Sequence, residues 1–184
     1  LDPEQPPVEV LEGIVDRHSI YSMVTIPGTD LVCLGTTSRG GTASETEKSN
    51  ARLVLWDYAN RSVVFQTEPV EGEAVIEQLI CVGGKVFATT GDSGSLVVFD
   101  PTTRSIVHTA ELGFGPGHLF GLGYREADGM IYALSGTSLL RIDPATYSIE
   151  RVAAHPDMRY GMAFAGDSVY LCAGARLMKC KVGE

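Results

Sequence analysis

The sequence predicts an all-β protein, a β-propeller of four antiparallel blades with four strands each. Two observations carry the prediction: a motif that repeats at constant spacing, and short apolar runs separated by turn residues. The motif appears as Leu-Val-Leu-Trp-Asp, Leu-Val-Val-Phe-Asp and Leu-Leu-Arg-Ile-Asp, ending at Asp57, Asp100 and Asp143, about 43 residues apart each time. A period of this length, built from β-rich segments, is typical of propeller blades.

Each repeated aspartate begins a turn between two β-rich runs. Asp100 and Asp143 are both followed by proline and, two residues after the proline, by threonine. An Asp side chain accepts hydrogen bonds from amides two residues on, and proline presets φ for the second turn position. We therefore expect the aspartates to close hairpins rather than to carry chemistry. A shortened fourth copy runs from Arg176 to Lys181, with Lys181 in the aspartate's place.

The remaining turn signals divide the chain into sixteen expected strands, in four sets of four, with almost no helical periodicity. The one long connection, 37–50, is polar and indicates a mobile surface loop. Residues 1–7 are acidic and proline-rich, and we expect a linker or the boundary of a piece cut from a longer chain. The approximate repeats are 19–68, 75–112, 118–153 and 160–182, with an outer strand at 8–14.

The third repeat resembles a known type of blade. It combines the run at 119–124, the Asp-Gly turn at Asp128, and a third strand that ends in Asp143-Pro144. This order is similar to that of NHL, YVTN and quinoprotein-like propellers, and the likeness covers about residues 8 to 182. The sequence departs from quinoproteins because Trp56 is its only tryptophan. It also lacks the full carboxylate-and-Asn set of a gluconolactonase-like metal hydrolase.

The order of the strands leaves three arrangements of the ring open. The chain begins with an outer-type strand and ends after a third-type strand, as in propellers whose N-terminal strand completes the last blade. Four blades could close alone, or two chains could exchange the terminal strand in an eight-bladed dimer. Alternatively the chain is half of a larger propeller, which the linker-like start favours.

The composition of the chain limits the kinds of partner that we expect it to bind. The chain has 14 basic and 23 acidic residues, a net charge of −9, and no local cluster of Lys and Arg. Such a field repels phosphate backbones, so we expect no nucleic-acid partner. No apolar run has membrane-spanning length and no signal peptide is visible, so we expect no membrane partner and leave the compartment undetermined.

The four cysteines do not indicate a metal site, because their spacing contains no CxxC and no ligand-like pattern with histidine. Cys33, Cys81 and Cys172 lie in apolar runs and are expected to be small buried hydrophobic residues. Cys172 and Cys180 flank a turn but are out of register for direct pairing, so a disulfide would need other neighbours. We assign no cofactor and no metal.

The resemblance implies where a ligand would bind. In such propellers, the loops that lead into the inner strands and the loops that join second to third strands share one face. Arginine can grip a carboxylate with its fork of donors, and a histidine near neutral pKa can act as acid or base. The candidate ligand-binding residues in these loops are His18, Glu73, His118, Arg159 and Tyr160.

The preferred function is a non-catalytic binding module, part of a larger protein, that recognises a small polar ligand, a glycan or a protein through this face. No complete catalytic set is visible, which favours binding over catalysis. The alternative is a carbohydrate-active hydrolase or lyase that uses His and carboxylate residues, with or without a metal. A second alternative is a purely structural scaffold. The remaining expected partners are a second copy of the chain or missing blades from a parent chain.

Overall fold

The structure is a computed structural model that describes residues 11–39, 49–115 and 117–183, without the side chains of 117–120. The described residues form fifteen strands in four antiparallel sheets. Blade 1 contains β1 (Ser19–Thr25), β2 (Leu31–Thr37), β3 (Leu53–Asp57) and β4 (Ser62–Thr67). Blade 2 contains β5 (Ile76–Val82), β6 (Lys85–Thr90), β7 (Ser95–Asp100) and β8 (Ser105–Glu111). Blade 3 contains β9 (Gly117–Arg125), β10 (Met130–Ser135), β11 (Ser138–Ile142) and β12 (Ile149–Ala154). Blade 4 contains β13 (Tyr160–Ala165), β14 (Ser168–Ala173) and β15 (Arg176–Lys181).

The strands of every blade are paired in chain order, which confirms the prediction of an all-β propeller with antiparallel blades. Blade 4 has three strands in the described part of the chain, where four were expected. Of the predicted strand 8–14, residues 11–14 are described and are not in a strand, so that prediction is wrong for them. Residues 8–10, the linker 1–7 and most of the 37–50 loop lie outside the described residues.

Hydrophobic cores fill the spaces between successive blades. Second and third strands are buried on both faces and read as continuous apolar runs, as in Leu96 to Phe99, whereas the outer strand β8 alternates between exposed and half-buried positions. Leu55 of blade 1 packs with Ile76 of blade 2, and Phe87 of blade 2 packs with Leu140 of blade 3. The third core joins residues of blades 3 and 4: Tyr132, Leu139, Val169 and Leu171.

The row of blades is open at its ends. The innermost strands pack in sequence, β1 against β5, β5 against β9, and β9 against β13. Within 11–39, 49–115 and 117–183, no comparable packing joins blade 4 to blade 1. The outward face of blade 1 is instead partly covered by Ile14 and Val15, which pack on Leu34 and Val54. The described chain is therefore an open, partial propeller.

The repeated aspartates close hairpins, as the sequence predicts. The Asp57 carboxylate accepts a hydrogen bond from the Asn60 amide at 2.8 Å. The Asp100 and Asp143 carboxylates accept from the amides of Thr102 and Ala145, at 2.8 and 2.7 Å. These bonds fix the turn between the third and fourth strand of blades 1, 2 and 3, so the repeat is structural in origin.

The cysteine prediction is confirmed in part. All four cysteines are free thiols, and Cys33 is fully buried, which raises its pKa to about 12. Cys81 is half-buried, and burial raises its thiol pKa as well. The prediction is wrong for Cys172, which is exposed because it lies on the outward face of blade 4.

Candidate functional site

The loops before the innermost strands and the turns between second and third strands lie at one end of the blades. The leading loop of blade 2 shows this: the Ala74 carbonyl accepts from the Ser38 amide at 2.9 Å, and the Ala74 amide donates to Asp92 Oδ2 at 2.7 Å. Ser38 follows β2, and Asp92 lies in the turn between β6 and β7. We call the loops before the innermost strands the leading loops and the turns between second and third strands the inner turns. The end of the blades where both lie is the top face.

In blade 1, His18 holds the leading loop to its neighbours. Its Nδ1 lies 2.8 Å from Thr36 Oγ1, and its Nε2 lies 3.0 Å from Ser49 Oγ. The Thr36 oxygen also accepts from the Arg52 amide at 2.8 Å, so its hydroxyl hydrogen is available to the ring. Both nitrogens of the half-buried imidazole therefore face hydroxyl groups of the fold.

In blade 2, two carboxylates lock the leading loop and the inner turn together. Glu73 is only 3% exposed, and its carboxylate accepts from the amides of Asp92 at 3.0 Å and Ser93 at 2.8 Å. In return Asp92 accepts from the Ala74 amide and forms an ion pair with Arg39, which follows β2. Charge-assisted bonds of this kind are among the stronger ones in proteins. The arrangement ties blade 1 to blade 2.

In blade 3, the leading loop packs directly on the inner turn. Ser135 Oγ donates to the Gly115 carbonyl at 2.8 Å. Gly136 has φ of +56°, and a Cβ at this position would lie 1.6 Å from the Phe114 carbonyl oxygen. Only glycine permits this approach. The candidate His118 is the second residue of β9, and its side chain lies outside the described part of the structure.

In blade 4, the leading loop leaves a groove against its inner turn. The groove has a volume of about 370 Å³ and is lined by Asp157, Arg159 and the turn 173–176. Asp157 forms an ion pair with Arg176, and both side chains are partly exposed. Gly174 occupies the position that Gly136 has in blade 3, but nothing lies within 4 Å of its would-be Cβ.

The groove carries positive charge on an acidic protein. Arg159 and Arg176 line it with a single carboxylate, that of Asp157. Arg159 Nη1 donates to the Met158 carbonyl at a long 3.4 Å, and within the described residues no carboxylate pairs with it. Tyr160, the next residue, is 53% exposed. A guanidinium placed in this way can bind a carboxylate with two parallel hydrogen bonds.

Four of the five predicted site residues therefore fall into two groups. His18 and Glu73 hold the loops of blades 1 and 2, whereas Arg159 and Tyr160 lie beside the groove of blade 4. Their convergence on one ligand stays a prediction. Sequence reasoning missed Asp92, Asp157 and Arg176 as candidates. Arg176 could have been found, since it directly follows the inner turn of blade 4, and inner turns share the face of the leading loops.

A second groove of about 420 Å³ lies along the innermost strands, with Tyr21, Gln78 and Leu122 in its wall. The Gln78 side-chain oxygen is buried, and no described residue donates to it. Burial raises the pKa of the Tyr21 hydroxyl, Glu77 adds to this and Arg39 opposes it. Tyr21 and Met23 are 44% and 65% exposed, and the lining also contains the polar side chains of Ser22 and Glu77.

The described stretches of chain contain neither a cluster of metal-ligating side chains nor a helix that could span a membrane. Among the described residues, no group of three or more His, Cys, Asp or Glu side chains is placed to hold a metal ion. No helix in those stretches has the length and apolar character needed to cross a bilayer.

The fold is similar to that of several solved structures. U3-55K matches with a TM-score of 0.65 and 14% identity, over 87% of this chain and 47% of that one. The extracellular domain of the putative one component system BT4673 from B. thetaiotaomicron matches with 0.66 and 13%, over 89% of this chain and 22% of that one. The β-propeller domain of Cps50 (Swd1) from Myceliophteria thermophila matches with 0.61 and 13%, over 85% and 51%. The identities are low, so the likeness shows the propeller fold alone.

The chain spans about half, or less, of the length of these structures. No curated protein matches the sequence. One family profile, described as a domain of unknown function, matches residues 49–177, which cover the last strands of blade 1, all of blades 2 and 3, and most of blade 4. The chain therefore belongs to the DUF5074 family.

Proposed function

We propose that this propeller is a non-catalytic binding module that recognises a small polar ligand with a carboxylate group at the top face, in the groove of blade 4. The observation that carries the proposal is the position of Arg159. Its guanidinium lines a groove of about 370 Å³ and has no acidic partner among the described residues. The module is proposed to be part of a larger protein.

The chemistry of the groove favours an acidic sugar or an organic acid over a neutral ligand. Two guanidinium groups and one carboxylate line the groove, which leaves one positive charge to be balanced. A carboxylate that meets Arg159 in fork geometry makes two charge-assisted hydrogen bonds. The exposed ring of Tyr160 beside it offers a flat surface and a hydroxyl to the rest of the ligand.

We also propose that the blades are of the NHL, YVTN and quinoprotein-like kind. The Asp128 turn supports it, because the carboxylate accepts from the Met130 amide at 3.2 Å and so closes the hairpin between first and second strand. The Asp-Pro turns after β7 and β11 agree with the same blade type. A crystal structure of the full-length parent tests this. Further blades that lack an Asp turn between the first and second strands, or an Asp-Pro turn after the third, would contradict it.

Calorimetry with a matched pair of probes tests the binding proposal. D-glucuronate and D-glucose differ only at C6, where glucuronate has a carboxylate and glucose a hydroxymethyl group, so the wild-type chain is expected to bind glucuronate more tightly. Arg159→Ala should weaken glucuronate binding by about tenfold to a hundredfold, since a hydrogen bond to a charged group contributes about 1.5–3 kcal/mol. The control is Arg104→Ala, which removes an exposed arginine from the turn between β7 and β8, at the other end of its blade.

Four outcomes would count against the proposal. Equal affinity for glucuronate and glucose would show that the carboxylate does not contribute to binding. An equal loss of glucuronate binding in both variants would show a non-specific charge effect. Absence of binding would favour the scaffold alternative. Release of 4-nitrophenol from 4-nitrophenyl glucuronide, lost in Arg159→Ala, would favour the enzyme alternative.

A further inference from the structure

We propose that the groove along the innermost strands is a second binding site, which takes a primary amine on an aliphatic stem. The groove lies across β1, β5 and β9, has a volume of about 420 Å³ and is lined by residues 21–23, 77–79 and Leu122. We call it the inner groove. It shares no described residue with the groove of blade 4, so the inference does not depend on the proposed function.

Two matching β-bulges shape the wall of the inner groove. The pairing of β1 with β2 shifts by one residue at Tyr21, and the pairing of β5 with β6 shifts by one residue at Glu77. The bulges are tied to each other, because the Ser22 hydroxyl donates to the Ile76 carbonyl at 3.0 Å. A bulge re-aims the side chain of its extra residue and is frequent beside functional sites. The two extra residues, Tyr21 and Glu77, therefore lie close together on neighbouring strands.

Gly91, in the strand connection behind the second bulge, leaves room for the Glu77 side chain. A Cβ at Gly91 would lie 2.6 Å from Glu77 Oε1 and 2.5 Å from Val75 Cγ1. The Gly91 amide donates to the Val75 carbonyl at 3.1 Å, which holds the two backbones at this close distance. Glycine permits such an approach because it has no side chain. The fold thus keeps a space for this carboxylate at the edge of the inner groove.

The charges around the inner groove favour a cation. Glu77 is the only charged side chain among the described residues that line it. Burial, and then the charge of Glu77, raises the pKa of Tyr21, while Arg39 lowers it, so both charges lie within reach of the Tyr21 hydroxyl. Arg39 is itself paired with Asp92, which is held beside the buried Glu73. Three carboxylates therefore surround one guanidinium, and the net charge of −9 on the chain adds to the attraction for cations.

The side chains of the inner groove match the parts of an aliphatic amine. An ammonium group has three donors and no acceptor, so it can meet the Glu77 carboxylate and the face of the Tyr21 ring. The Gln78 oxygen is buried and no described residue donates to it, so a turn of this amide towards a donor in the groove is favourable. Met23 and Leu122 offer apolar surface to the stem.

Calorimetry with n-pentylamine and 1-pentanol tests the charge preference, because the two probes share a stem and differ in the ammonium and hydroxyl groups. Pentylamine is expected to bind at least about tenfold more tightly. Glu77→Gln keeps the shape of the side chain and should weaken pentylamine binding by about tenfold. The control, Glu71→Gln, neutralises an exposed glutamate outside the groove and should bind as the wild type does. Circular dichroism checks that both variants are folded.

NMR on the wild-type chain gives a second test that needs no variant. Pentylamine should shift the side-chain amide signals of Gln78 and the backbone amides of residues 21–23 and 77–79. It should also bind more tightly than ethylamine, by about threefold for each methylene group that is buried.

Four results would overturn the proposal. These are equal affinity for pentylamine and pentanol, equal losses in Glu77→Gln and Glu71→Gln, shifts centred on the groove of blade 4, and absence of binding at millimolar pentylamine. Equal affinity for ethylamine and pentylamine would overturn the role of the aliphatic stem.

Discussion

The inner turns of blades 3 and 4 have the same backbone but different surroundings. Gly136 and Gly174 both have positive φ, +56° and +63°, and both sit between a second and a third strand. Over Gly136 the leading loop of blade 3 lies in backbone contact, while nothing approaches Gly174. Gly174 instead lines the groove of blade 4.

The difference shows how a repeat scaffold can make a site by leaving out one contact. Blade 1 holds its leading loop with His18, blade 2 with the buried Glu73, and blade 3 with the Gly115 carbonyl. At the top of blade 4 the side-chain link between loop and turn is the Asp157–Arg176 ion pair, whose side chains are 41% and 69% exposed. An exposed pair stabilises little and leaves room for a ligand.

The largest expected effect comes from placing a methyl group on each of the two turns. Gly136→Ala should lower the free energy of unfolding by at least about 3 kcal/mol, because left-handed backbone strain and a clash with the Phe114 carbonyl add up. Gly174→Ala is the matched control and should lose only about 1 kcal/mol, from strain alone. Urea unfolding measures both. Equal losses would mean that the two turns are covered alike.

Removal of the blade 2 lock should have the next largest effect. Glu73→Ala leaves the amides of Asp92 and Ser93 without their acceptor in a buried place, so we expect a loss of about 2–3 kcal/mol in the free energy of unfolding. The control, Glu71→Ala, lies in the same loop but is exposed and should change stability by less than about 0.5 kcal/mol. A loss below 1 kcal/mol for Glu73→Ala would contradict the conclusion that Glu73 holds the leading loop of blade 2 to its inner turn.

At the opposite end, blades 3 and 4 are joined by a buried link through Arg125 and Asp128. Arg125, 8% exposed, donates to Asp128 at 2.7 Å and to the Gly166 carbonyl of blade 4 at 2.8 Å. Burial alone would raise the pKa of Asp128, but hydrogen bonds from Tyr132 and Arg125 outweigh it, and the pKa lies below the usual 3.8.

A carboxyl with a lowered folded pKa stabilises the fold above its unfolded pKa, and this stabilisation is lost as the pH falls through the folded value. Asp128→Asn should therefore cost about 1 kcal/mol at pH 7 and progressively less below pH 4. Thermal unfolding of both proteins between pH 7 and pH 2 measures this. A cost that does not change with pH would show that the link is not electrostatic.

The smallest expected effect is at the exposed ion pair of blade 4. Arg176→Ala should change the free energy of unfolding by less than about 0.5 kcal/mol, in contrast to Glu73→Ala, although both side chains link a leading loop to an inner turn. Chemical denaturation again measures it. A loss comparable to that of Glu73→Ala would show that the two links between leading loop and inner turn, in blades 2 and 4, stabilise the fold equally.

Much of the fold could be predicted because the repeated motif, the pattern of apolar and polar residues and the turn residues all indicate the same strands. The run 85–90 lies between Gly84 and Gly91 in the sequence, and β6 has the same bounds. Asp143 closes its hairpin as its Asp-Pro-x-Thr pattern indicates. Local turn chemistry and hydrophobic period are properties of neighbouring residues, so the sequence carries them directly.

The candidate site was less predictable because it depends on what lies above each turn. Glu73 and Glu71 look alike in the sequence, yet one is buried and the other exposed. Gly136 and Gly174 also look alike, and only the path of the leading loop distinguishes them. Such differences come from tertiary contacts, which no local pattern records. Whether the five predicted residues share a ligand stays a prediction.

The most direct test of the account is a map of ligand-induced amide shifts by NMR, with D-glucuronate titrated into the isotopically labelled chain. The account predicts that the shifts cluster at residues 155–160 and 172–176, around the open turn of blade 4, while the amides of Ala74, Asp92 and Ser93 in the blade 2 lock stay unchanged. Shifts centred on that lock, or no shifts at millimolar glucuronate, would contradict it.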